Sequence, residues 1–249
     1  MDIINRAKSQ GRTTLTEAEA KEVLKKYGVP VVEEKSVKSI EEAEIAAEKI
    51  GYPVVLKGLG ARLAHKTERG LVKLNLKNKE DIRTAALYIK DAAGSDLEGF
   101  LIQPMLEGKR EFVAGLFHDD QFGPTVMFGL GGIFTEAIED VVFALAPLEK
   151  NEAQRMIEQL EAQKLLGEFR GEKAPDRDAL INVLVGLSKI GKEIPEIREI
   201  DINPLLVTAD GKVTAVDALI VLGEAKEQKI SQLPIEPRAI WNLFYPKSI

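Results

Sequence analysis

The stretch SIEEAEIAAEKIGYPVVLK, residues 39–57, decides the fold class. Ser39 with Glu41 and Glu42 behind it has the form of a helix start, a hydroxyl that caps first-turn amides followed by acidic residues that suit the positive end of the helix. Ala43, Ile45, Ala46 and Ile50 mark the apolar side of that helix, Gly51 ends it, and Pro53-Val54-Val55-Leu56-Lys57 is an apolar run with the length of a buried strand. A helix that feeds straight into a buried strand predicts a mixed α/β chain.

The pattern continues outward in both directions. Upstream, Thr14-Leu15-Thr16-Glu17 reads as a capping box, and Gly28 closes the helix after Lys25 and Lys26. Downstream, GLGARLAHKTERG (residues 58–70) is a glycine-punctuated loop too long for mere connection, and loops of this kind are usually functional. Leu71 to Leu76 alternates as a half-buried strand, and Asn78-Lys79-Glu80-Asp81 caps a helix running to about Ala93. GFLIQPM (99–105) is a short strand, EFVAGLFHD and GPTVMFGLG form a hairpin, and VVFALAP (141–147) is a further strand. Helices near 151–166 and 176–190 precede a final strand pair, IREIDINPLLVT (197–208) and KVTAVDALIVL (212–222). In the tail, Trp241, Phe244 and Tyr245 form an aromatic cluster suited to an arm docked on this chain or on a partner.

Composition removes several function classes. The chain has 249 residues, with 34 Lys+Arg against 40 Asp+Glu and a net charge of −6, which argues against general binding to a nucleic-acid backbone. No cysteine is present, so thiolate catalysis, disulfides and Cys-ligated zinc are all excluded, in keeping with a reducing compartment. No apolar run approaches the roughly twenty residues of a membrane span, and the expectation is a soluble, cytoplasmic protein. Gly108-Lys109, Gly191-Lys192 and Gly211-Lys212 all lack the following Ser or Thr of a P-loop. Gly58-Leu59-Gly60 and Gly129-Leu130-Gly131 lack the third glycine of a dinucleotide fingerprint.

Four places remain where chemistry could sit. In Glu199-Ile200-Asp201-Ile202-Asn203 the strand period puts the three polar residues on one face. If Ala209-Asp210-Gly211 is a three-residue hairpin loop with Gly211 in the left-handed conformation, Thr208 faces Lys212 and Asn203 falls opposite Asp217. An amide oxygen and a carboxylate on neighbouring strands suit Mg²⁺ shared with phosphates; a solvated polar face on an edge hairpin fits the same spacing. Lys57 ends an apolar run facing the long loop, placed either as a point charge for phosphate at the sheet rim or as a snorkelling surface lysine. His65 lies in that loop, as a phosphoryl-accepting nucleophile or as an ordinary hydrogen-bonded histidine; His118, the other imidazole, reads as an exposed turn residue. The glycines of FGLGGIFTE (128–136) form either an anion-binding nest or a plain strand-to-loop transition.

Together PVVLK with AHKTERGLV, FLIQPMLEGKREFVAG, FGLGGIFTE, and EIDINPLLV with VDALI resemble the ATP-grasp (beta) subunit of the ADP-forming acyl-CoA synthetases, relatives of succinyl-CoA synthetase. The resemblance runs from about Thr14 to Gly223. It implies an ATP-grasp fold of two α/β subdomains with nucleotide between two sheets, divided as an N-terminal extension (1–13), a small subdomain (14–98), a large subdomain (99–223) and a C-terminal docking arm (224–249). It also implies that Lys57 binds nucleotide phosphates, that adenine lies along Gln103, Pro104, Met105 and Leu106, and that Glu111 holds the ribose. Asn203 and Asp217 would hold Mg²⁺, Gly131 and Gly132 would cradle phosphate, and His65 would carry a phosphoryl group to ADP. The implied partner is a CoA-binding alpha subunit with its own phosphohistidine, in an assembly of two alpha and two beta subunits. A regulatory module that binds ATP or ADP without chemistry is the competing reading. A succinate-type beta subunit would carry a longer C-terminal domain than this chain has.

Overall fold

A computed structural model describes residues 2–63, 66, 69–132 and 140–224. The His65 loop position, residues 133–139 of the glycine-rich segment and the aromatic tail from residue 225 lie outside the described residues. The chain divides into two units, residues 1–22 with 32–107, and residues 23–31 with 108–249.

The first unit holds α1 (Asp2–Ser9), the start of α2 (Glu17–Lys26), β1 (Lys35–Val37), α3 (Ile40–Ile50), β2 (Val54–Leu59), β3 (Val72–Leu76), α4 (Lys79–Ala93) and β4 (Gly99–Pro104). Its four strands form an antiparallel sheet in the order β1-β4-β2-β3. The expected caps are present. Ser39 Oγ accepts from the Glu42 amide at 3.1 Å and Asn78 Oδ1 from the Asp81 amide at 2.9 Å. One face of the sheet is covered by α3 and α4, whose Ala46, Ala47, Ile82 and Ile89 pack in a single core with Val54, Leu56 and Ile102. Since strand side chains alternate, that arrangement sends Lys57 and Gln103 to the opposite face.

The capping box of α2 sits two residues later than the sequence suggested. Thr16 and Glu19 make the reciprocal bonds, with the Glu19 amide donating to Thr16 Oγ1 at 3.3 Å and the Thr16 amide to Glu19 Oε2 at 3.0 Å. The reason is Arg12, whose Nη1 and Nη2 grip both Glu19 oxygens at 2.7 and 3.0 Å and fix that carboxylate as the cap. Glu17 is thereby released from the helix end to point inward.

The second unit contains β5 (Arg110–Asp119), β6 (Gly123–Leu130), β7 (Val141–Leu145), α5 (Lys150–Gln159), α6 (Arg177–Glu193), β8 (Ile197–Val207), β9 (Val213–Ala215) and β10 (Ala218–Leu222). The antiparallel sheet runs β10-β8-β5-β6-β7, and β9 pairs with the other end of β8. Phe112 and Phe128 stack at 5.4 Å between ring centroids in its interior. Helix α6 lies against β5 and β6 through buried Leu180, Val183, Leu184, Leu187 and Ile190. Gly191 permits that contact, because a side chain there would meet Leu116 Cδ1 at 2.8 Å. No helix among the described residues is long and apolar enough to cross a membrane.

Burial opposes ionisation of Glu19, but Arg12 and the Thr16 amide and hydroxyl outweigh it and hold the carboxyl down to about 2. Its folded value is depressed, so its stabilisation is full above the ordinary carboxyl value of 4.5 and is lost as pH falls toward about 2. Glu19→Gln should therefore cost about 1–2 kcal/mol at neutral pH, after discounting for solvent screening, and the cost should shrink through that acidic window. Urea denaturation of both proteins as a function of pH checks it; a cost that does not vary with pH contradicts the assignment.

Candidate functional site

In the first unit, Lys57 is not at a solvated rim. It lies in mid-strand, 3% exposed, because β2 extends to Leu59 and is flanked by β3 and β4. Its Nζ donates to Glu17 Oε1 at 2.5 Å. The same Oε1 accepts from Lys21 Nζ at 2.8 Å, and Glu17 Oε2 accepts a short bond from Lys66. Lys21 in turn donates to Glu34 Oε2 at 2.6 Å and to Gln103 Oε1 at 3.2 Å. Burial pushes the Glu17 carboxyl up, yet Lys57, Lys21 and Lys66 together reverse this and hold it far below the usual carboxylate range.

Gln103 is buried with its side chain committed to Lys21, while Pro104, Met105 and Leu106 are half-buried. The Met105 amide is taken by Pro53 O at 3.0 Å. Neither Glu17 nor Lys21 was singled out from the sequence. The signal was there: Ala20, Val23 and Leu24 mark the buried side of α2, and Glu17 and Lys21 fall on the same side at helical spacing.

In the second unit the expected hairpin forms. Gly211 has φ +89°, the Thr208 amide donates to Lys212 O at 3.0 Å, and β9 pairs Leu205 with Ala215. The partner strand then breaks at Val216-Asp217, but β10 resumes in the same register, with Ala218 opposite Ile202 and Leu219 opposite Asp201. By that count Asn203 faces Asp217. Asp201, two residues before Asn203 on the same face, has its Oδ1 buried without a hydrogen-bond partner. Burial, then the negative charges of Glu199 and Asp217, push its carboxyl up to about 7.

A desolvated carboxylate beside two more acids is an environment short of a cation, so the residues fit a divalent metal. Among the described residues no three His, Cys, Asp or Glu side chains converge into a complete cage. That suits Mg²⁺, which is typically bound through one or two carboxylates plus substrate phosphates and water.

Glu111 lies next to the glycine segment. The Gly131 amide donates to Glu111 O at 2.8 Å, and a side chain on Gly131 would meet the Phe112 backbone at 2.9 Å. Gly132 has φ +66°, and a side chain there would meet Glu111 Oε2 at 2.9 Å. Two stretches singled out separately in the sequence are thus in contact. His118 departs from its expected place: it is half-buried within β5 opposite Pro124, its Nε2 buried without a partner, and burial followed by the charge of Arg198 lowers its pKa to about 4. It is neutral at physiological pH and lies at the far end of β5 from Glu111.

Two antiparallel-sheet units, one with a buried lysine held on its sheet and the other with a glycine segment and an acidic strand face, are the parts of an ATP-grasp protein. The ATP-grasp domain model matches residues 6–222, and the chain belongs to that family. Within it, the chain is 44% identical over 226 residues to the beta subunit of ADP-forming acetate–CoA ligase I from Pyrococcus furiosus, covering 89% of this chain and 97% of that one. It is 39% identical to ADP-forming acetate–CoA ligase I of Archaeoglobus fulgidus, with 83% of this chain matching 31% of a longer protein. A solved acetyl-coenzyme A synthetase 1 from Candidatus Korarchaeum cryptofilum superposes with a TM-score of 0.78 at 40% identity, covering 89% of this chain and 99% of that one. That structure holds coenzyme A and Mg-AMPPCP, with its phosphohistidine segment pointing towards the nucleotide binding site.

Gly131→Ala should destabilise by about 2–4 kcal/mol, since the obstructing atoms are backbone, whereas Gly132→Ala should cost only the left-handed strain of about 1–2 kcal/mol, because the Glu111 carboxylate can swing aside. Gly171→Ala, with φ +82° and nothing within 4 Å, is the control for strain alone. Urea midpoints that place Gly131→Ala level with Gly171→Ala would show that Gly131 is not confined.

Proposed function

We propose that this chain is the nucleotide-binding beta subunit of an ADP-forming acid–CoA ligase, working with a CoA-binding alpha subunit in an assembly of two alpha and two beta subunits in the cytoplasm. The overall reaction converts acyl-CoA, phosphate and ADP into acid, CoA and ATP, reversibly. The observation that supports this reading is the Asp201 Oδ1, buried without a hydrogen-bond partner beside Asn203 and Asp217 where a cation would suit it, on a chain matched along 97% of an acetate–CoA ligase beta subunit.

In this reading Lys57 neutralises nucleotide phosphate. Gln103, Pro104, Met105 and Leu106 offer backbone groups and apolar surface to adenine, and the Glu111 carboxylate accepts from the ribose hydroxyls. Gly131 and Gly132 cradle phosphate, the turn being held by the bond from the Gly131 amide to Glu111 O. Asn203 and Asp217 would hold Mg²⁺, which when bound offsets the charge of the transferring phosphate. The alpha subunit's phosphohistidine gives up its phosphoryl group to an imidazole nitrogen of His65, breaking one N–P bond and making another. A terminal oxygen of ADP then attacks that phosphorus as the His65 N–P bond breaks, leaving ATP and a free imidazole. The demand on the chain is mostly positioning and charge stabilisation.

With a co-purified CoA-binding partner, His65→Ala should abolish ADP-dependent thioester cleavage while leaving ADP affinity within about twofold, since the imidazole carries the group and does not hold the base. Unchanged turnover would make His65 a bystander. Asp217→Ala should remove the Mg²⁺ dependence of ADP binding measured by calorimetry; a dependence that persists would move the metal elsewhere.

A further inference from the structure

The roles assigned above leave out a buried carboxylate of the first unit that three lysines share. Glu17 is 5% exposed and accepts from Lys21, Lys57 and Lys66 at once. Only Lys57 among these four enters the proposed chemistry. Here three ammoniums, Lys21, Lys57 and Lys66, face two carboxylates, Glu17 and Glu34, and Gln103 contributes a neutral oxygen.

We propose that Glu17 is a positioning residue for the phosphate end of the nucleotide, fixing the Lys57 ammonium in its charged, correctly aimed state before ADP arrives. This rests on the reading of Lys57 as the phosphate-neutralising group. Two physical effects support it. The Glu17 carboxylate sets a counter-charge at hydrogen-bond distance from the buried ammonium, which offsets the cost of burying it. A lysine side chain also carries rotamer entropy, which a phosphate would otherwise have to remove on binding; a lysine already held at 2.5 Å has lost it beforehand. Lys21 braces the arrangement from the same helix face, one turn on, and links it through Gln103 to β4. Lys66 follows His65 in the sequence, so the carboxylate that aims the phosphate lysine also holds the residue next to the proposed phosphoryl carrier.

The test is calorimetric binding of Mg²⁺·ADP and of adenosine to the full chain as wild type, Glu17→Gln, Lys57→Met and the double variant. Glu17→Gln should weaken ADP by about tenfold or more with adenosine unchanged, and the double variant should bind ADP no more weakly than Lys57→Met alone, because Glu17 acts through Lys57. Equal losses for ADP and adenosine, or losses that multiply in the double variant, would overturn the proposal while leaving Lys57 in its role. A Lys57→Met variant with undiminished ADP affinity would overturn the Lys57 reading and the proposal with it. If Glu17→Gln does not fold, Glu17→Asp, which keeps the charge but shortens its reach, is judged by the same ADP-against-adenosine comparison.

Discussion

The second unit depends on the continuous register of β8 against two successive partners. Strand β9 pairs with its C-terminal half and β10 with its N-terminal half, and the chain between them departs from the ladder for only Val216 and Asp217 without slipping a residue. A slip of one would send Glu199, Asp201 and Asn203 to the opposite face and bring Ile200 and Ile202 out in their place, so burial of those isoleucines enforces the phase. The acidic face is therefore a by-product of packing: the apolar half of the alternation buys the register, and the polar half inherits its alignment. The same constraint explains why a destabilised carboxylate persists at Asp201. Its neighbours on β5 and β10, Gly115 and Leu219, offer no cation, and the strand cannot rotate it away without exposing the core.

The first unit handles charge in the opposite way. Where the Asp201 carboxyl has an oxygen buried without a partner, Glu17 is an anion held by three ammoniums. Burying ions is costly unless they are paired, and removing one member of such a group typically costs about 3–5 kcal/mol through the charges left behind. The cluster survives because sheet and helix deliver its members independently: strand alternation turns Lys57 and Gln103 away from the α3/α4 core, and Glu17 and Lys21 lie one turn apart on α2. The first unit thus gathers lysines around one buried carboxylate, and the second gathers carboxyls on one strand face.

Much of this was legible in the sequence because short-range rules wrote it. Ser39, Asn78 and Gly211 produced the caps and the turn expected of them, and the three-residue hairpin loop fixed the pairing around Asn203. What escaped was decided by contacts distant in sequence. The α2 cap moved from Thr14-Glu17 to Thr16-Glu19 because Arg12 binds Glu19, and only that displacement frees Glu17 to face inward. Lys57 looked like the end of a strand because the following Gly58 resembles a loop residue; pairing with β4 as far as Leu59 keeps it in the interior. His118 resembled a turn residue for the same reason, being next to Asp119 and Asp120, although the ladder runs through it to Asp119.

The most direct measurement is anomalous scattering from crystals of the chain grown with ADP and Mn²⁺ in place of Mg²⁺. The account predicts a manganese peak at ligation distance from the Asn203 side-chain oxygen and the Asp217 carboxylate, with the ADP phosphates completing its shell. A manganese ion bound to ADP with neither of those side chains among its ligands would contradict it.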